Sequence, residues 1–127
     1  NAFVIMNNHL HIIWQIKSGH KKENVQRDLL KFTGQQIKED MIRNHPLVLK
    51  HFEVNAKDRK YQFWERNSLS IDLYSEKVFL QKLEYIHANP VKAGLCLLPE
   101  EYKYSSAGYY EKDIKDFSFL IHYKANY

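Results

Sequence analysis

An α+β fold, with an antiparallel sheet and helices on one of its faces, is the class this chain predicts, on three observations. Residues 2–16 alternate as strands do around a turn-favouring pair, and residues 23–43 and 75–89 carry apolar side chains at helical spacing. A short aromatic run, RKYQFW, stands between those two helices as a further strand. No linker, low-complexity tract or internal repeat interrupts the 127 residues, so a single domain over 1–127 is expected.

The first element is a pair of runs, AFVIM and HLHIIWQI, separated by Asn7-Asn8, which reads as a hairpin or as one long bent strand. Either way, the period of two puts His9, His11 and Ile13 on one face and Leu10 and Ile12 on the other. KSGHKKEN is a polar, basic connection. A helix follows from Glu23, in which Val25, Leu29, Ile37 and Met41 make an apolar stripe that Leu30 and Phe32 widen. Arg27, Lys31 and Lys38 share a separate azimuth, either a solvated face or an edge that contacts phosphates.

NHPLV and the mixed-charge residues to Asp58 read as a loop with room for a short helix, and ERNSLSIDL as the entry to the next helix. Ser75 is placed to cap that helix, Phe79, Leu83 and Ile86 give it one apolar side, and Asn89-Pro90 is expected to end it. Short helical turns follow, one opening at Pro99.

Composition narrows the function. No apolar run approaches the roughly 20 residues a membrane span requires, so no membrane partner is expected. Cys96 is the only cysteine and sits in an apolar stretch, GLCLL, that reads as buried, so disulfide and thiolate chemistry are both disfavoured and a cytoplasmic location is expected. The formal charge of +4 is a mild excess that leaves nucleic acid open as a partner without requiring it. Aromatic residues are plentiful, and Tyr61, Tyr102, Tyr104, Tyr109 and Tyr110 read as packing groups or as platforms for stacked bases.

His9 and His11 are the residues that most need explaining. A histidine in a strand costs stability unless it is hydrogen-bonded or bound. Two at this spacing leave one face within reach of a single divalent ion, although such a pair also occurs on surfaces by chance. A third ligand would have to come from another element. His87 reads as bonding locally near its helix end, and Ser105-Ser106 as satisfying backbone groups.

VIMNNHLHII resembles the HUH stretch, two histidines around a bulky apolar residue, of small tyrosine transposases. YIHANPVKAGL and PEEYKYSSAGYY resemble the C-terminal stretches of REP-associated tyrosine transposases, relatives of the small insertion-sequence transposases. KFTGQQI and YQFW are similar to the intervening helix and strand of that branch, so the likeness covers nearly the whole chain.

The resemblance implies a ferredoxin-like or RRM-like sheet and a partner in single-stranded or hairpin DNA. It also implies Mg²⁺ or Mn²⁺ held by the histidines and a helix side chain, and cleavage through a 5′-phosphotyrosine. By that pattern the nucleophile falls four residues after Trp64, where this chain has Ser68. The third metal ligand falls one helical turn later, on Asp72. Tyr74 is the nearest tyrosine, yet on a helix it would point about 200° away from Asp72. The metal set His9, His11 and Asp72 is therefore expected to be kept, with Tyr74 the replacement nucleophile if the segment is irregular, or cleavage lost and DNA binding retained.

The family's first strand and helix precede Asn1. Without them the sheet is expected to have an uncovered edge, as in a fragment or a remnant, which strand exchange with a second copy would cover to give a homodimer.

Overall fold

A computed structural model describes residues 1–126 and shows an α+β protein. In chain order the elements are β1 (Ala2–Ile5), β2 (Leu10–Ile13), α1 (Lys22–Asn44), α2 (Pro46–Leu49), α3 (Glu76–Lys92) and α4 (Ala107–Lys112). Tighter 3-10 turns lie at Lys50–Phe52, Pro99–Glu101 and Tyr123–Asn126. The elements form two compact units. One joins residues 1–15 to 71–127, and the other is the intervening 16–70. No helix among the described residues is long and apolar enough to cross a membrane.

In the first unit β1 and β2 pair antiparallel, Ala2 opposite Ile13 and Val4 opposite His11, and Met6 N–H donates to His9 C=O to close the hairpin around Asn7-Asn8. Facing residues of paired strands share a side of the sheet. Ala2, Val4 and Ile13 therefore form one apolar patch, and α3 covers it with Leu83 and Ile86. Phe3 points to the other side, where Phe117 and Phe119 lie 5.0 and 5.7 Å away between ring centroids. One face thus carries a helix and the other a C-terminal strap without regular structure.

The free edge of β1 is partly taken by residues 104–106. Ile5 N–H donates to Tyr104 C=O, Ser106 N–H donates to Phe3 C=O, and Ser105 bridges Val4. Along β2 no further strand pairs among the described residues.

Ser75 caps α3 by accepting from Val78 N–H at 3.3 Å. The helix does not stop at Asn89-Pro90. It runs to Lys92 with Pro90 fully buried inside it. Proline removes the N–H that would reach the carbonyl of Ile86. Here the Asn89 side-chain amide donates to that carbonyl at 3.4 Å and to Tyr85 C=O at 3.2 Å, so the break is bridged. GLCLL is not core either. Cys96 is half-buried, and Leu95, Leu97 and Leu98 are exposed, held as a turn by Glu101, whose carboxylate accepts from Leu97 and Leu98 N–H.

In the second unit α1 runs as expected over 23 residues, yet none of them is buried. Val25, Leu29, Ile37 and Met41 are half-buried. Phe32, expected to widen that side, is 65 % exposed. Trp64 lies against the helix, its indole N–H donating to Thr33 Oγ1 at 2.9 Å. The RKYQFW run is not a strand: a single bridge joins Tyr61 to Glu53, flanked by Val54 N–H to Lys60 C=O and Gln62 N–H to Phe52 C=O. The would-be partner segment is wound into a 3-10 turn to Phe52, which leaves no length for a ladder.

Candidate functional site

The site of interest is built where the hairpin meets α3. Because His11 lies opposite Val4, its imidazole emerges on the face that α3 covers, at the rim where the apolar patch ends. His9, just before β2, continues along the same edge and is exposed. The two rings meet edge to face, centroids 5.1 Å apart. The His9 Nδ1–Asn8 Oδ1 contact of 2.7 Å orients the first ring. An amide oxygen only accepts, so Nδ1 is the donor in this contact and Nε2 is the nitrogen turned away from it. Burial, and then the charge of His9, hold the His11 imidazole below its ordinary pKa. Both effects favour the neutral form of the His11 ring, the form that binds cations.

Asp72 does not complete the set. Among the described residues no three His, Cys, Asp or Glu side chains come together in an arrangement that would hold a metal ion. The local reason is that residues 65–75 are not helical. With α3 starting at Glu76, the one-turn spacing from Ser68 to Asp72 does not exist. Ser68 is exposed and belongs to the other unit.

The same irregularity removes the objection to Tyr74. In the non-helical segment its phenol reaches back to Asp72 Oδ2 at 3.5 Å, the outer limit of a hydrogen bond, and the side chain is 88 % exposed.

Arg27, Lys31 and Lys38 stand on α1 in the second unit, and they are not equivalent. Arg27 pairs with Asp28 at 2.9 Å and donates to Asn24. Lys31 is exposed. Lys38 is half-buried, with its ammonium 5.9 Å from the centre of the Tyr61 ring.

The structure also shows two groupings that reading by element did not find. His87 does not bond locally. It is 5 % exposed, and its Nε2 lies 2.8 Å from Ser106 Oγ, nineteen residues on. Ser106 Oγ accepts from Phe3 N–H and donates to Phe3 C=O, so one buried hydroxyl ties α3 and α4 to β1. Burial drives the His87 pKa down to about 4, so the ring is neutral and its role structural. The YIHANP and SSAGYY stretches are therefore joined in space.

The second grouping is Tyr85, whose ring meets His11 edge to face at 6.0 Å and carries the ammonium groups of Lys82 and Lys92 nearby. Its signal was present, since Lys92 falls seven residues after Tyr85 and so on nearly the same azimuth, opposite the Leu83–Ile86 side.

No family model, curated protein or solved structure gives a significant match to the chain.

Proposed function

We propose that this is a transposase-type protein that binds single-stranded or hairpin DNA, with His9 and His11 providing two ligands for Mg²⁺ or Mn²⁺. The observation that carries this reading is the pair of contacting imidazoles, one oriented by Asn8 and the other depressed in pKa, at an open rim of the sheet. The residues fit a cation in part: two imidazole nitrogens suit a transition-metal ion such as Mn²⁺ better than the oxygen-seeking Mg²⁺. When bound, such an ion would neutralise charge on a backbone phosphate. The chain's own contribution is to hold the two rings and, through Arg27, Lys31 and Lys38, to offer cationic contacts to the phosphates of bound DNA.

The test is a fluorescently labelled hairpin oligonucleotide titrated with the protein at rising salt, with a parallel thermal melt in Mn²⁺. The reading expects binding that weakens steeply with salt and a melting temperature raised by Mn²⁺ in the parent but not in His11→Ala. Failure to bind any hairpin sinks it.

The loss of helical structure at 65–75 favours strand cleavage by Tyr74 as a second reading. In that step the phenolic oxygen forms a bond to phosphorus, the P–O3′ bond breaks, and the 3′ oxygen leaves as a hydroxyl with the proton the phenol gave up to solvent. A covalent protein–DNA band lost in Tyr74→Phe is its expected result, and no band under any divalent ion leaves the DNA-binding reading alone. A second copy pairing along β2 would give a homodimer, which light scattering of the purified chain reads directly.

A further inference from the structure

Lys82, Tyr85 and Lys92 form a cluster that neither the histidine pair nor the α1 stripe accounts for. Tyr85 projects from α3, its ring meets that of His11 at 6.0 Å with the planes 79° apart, and the residue is 49 % exposed. The two ammonium groups stand 5.7 and 5.2 Å from the ring centre. Neither lysine forms an ion pair with a carboxylate among the described residues. Two lysines resting on an aromatic ring, with no acid paired to either among the described residues, are cations left available to an anion. Their stems are long and rotatable, so they can leave the ring for a stronger acceptor without any change in backbone.

We infer that Tyr85, Lys82 and Lys92 form a subsite for one unpaired nucleotide, the base lying on the phenol ring and the ammonium groups taking the backbone phosphates beside it. The inference rests on the reading that the histidine rim receives single-stranded DNA, and it adds where the strand runs: past His11 and onto α3. Chemistry favours this occupant. A phosphate alone would leave the exposed ring unused, and an acidic peptide would offer the ring no flat partner. A single-stranded nucleic acid supplies anions and π-faces in alternation, and base–aromatic stacking tolerates any base. The ammonium groups now over the ring would swing to the phosphates, and the exposed part of the phenol ring is the surface on which a base would lie.

The experiment uses the whole chain and three labelled probes: a hairpin with an unpaired thymidine tail, the same hairpin with abasic sites in the tail, and a blunt hairpin. For the tailed probe, Tyr85→Ala should weaken binding roughly tenfold to a hundredfold, while Tyr85→Phe, which keeps the ring, should bind as the parent does. The abasic probe should bind the parent as weakly as the tailed probe binds Tyr85→Ala, and blunt-hairpin affinity should be the same in parent and variants, which also reports that the variants are folded. Lys82→Ala and Lys92→Ala should each reduce the slope of log affinity against log salt by about 0.7.

If the parent binds the tailed hairpin and Tyr85→Ala binds it equally well, the subsite is wrong and the DNA-binding reading stands. If Tyr85→Phe loses as much as Tyr85→Ala, the hydroxyl and not the ring makes the contact, and the stacked base is overturned. If the parent binds none of the probes, the functional reading itself fails and the subsite falls with it.

Discussion

The two long helices are held in opposite ways. α3, with 17 residues, buries Leu83, Ile86, His87 and Pro90, whereas α1, with 23, buries none. α3 begins on a side-chain cap at Ser75, and α1 begins at Lys21 with no side-chain cap bond. Length and periodicity therefore say little about how firmly a helix is held; what matters is whether its apolar side meets a surface of matching size. α3 meets the Ala2–Val4–Ile13 patch. Within its unit, α1 is met by one indole hydrogen bond from Trp64 and a scatter of half-buried contacts.

The contrast can be broken first in the core. Leu83→Ala should cost about 2–5 kcal/mol of unfolding free energy, and Ile37→Ala roughly 1 kcal/mol, both read by urea denaturation; equal losses would mean that α1 is as firmly packed as α3. Next comes pH. Burial holds the folded His87 at about 4, against the ordinary 6.5 of an unfolded histidine. The unfolded chain thus binds the extra proton, so stability falls as pH drops from 6.5 towards 4, by up to about 3 kcal/mol. Melting curves across that window should show the fall in the parent and a flatter profile in His87→Gln. A parallel slope in both would assign the effect to carboxylates.

The helix starts sharpen the contrast further. Ser75→Ala should lose about 1 kcal/mol, and Lys21→Asp, supplying the cap that α1 lacks at an extended N-cap backbone, should gain a similar amount. The smallest effect is expected at Phe32, where Phe32→Ser on the exposed side of α1 should stay within about 0.5 kcal/mol.

Local chemistry was legible in the sequence, and contacts across distance were not. The Asn7-Asn8 hairpin, the placement of His11 on the Ile13 face with the His9 ring against it, and the Ser75 cap each depend on residues a few positions apart, and all are present. What the sequence did not disclose depends on partners elsewhere in the chain. Pro90 reads as a stop until the Asn89 amide is seen supplying the missing donor. YQFW reads as a strand, but a strand needs a neighbour, and the neighbouring segment is coiled. His87 reads as a helix-end residue because Ser106 lies nineteen positions away. At the candidate site the histidine pair was legible from its spacing. The Asp72 expectation relied on a helix that residues 65–75 do not form, and Tyr85 was passed over because a tyrosine on a helix is ordinary until its neighbours are known.

The Ser106 hydroxyl grips both the amide and the carbonyl of Phe3 across 103 positions of chain. During synthesis, then, the hairpin bearing the imidazoles is made long before the serine, the helix and the phenylalanine strap that fix it. Until α3 is made, the hairpin's apolar face has nothing to cover it. The hairpin that carries the imidazoles is thus translated before the segments that secure it, and a chain cut short ahead of Ser106 would leave its histidines without a fixed place.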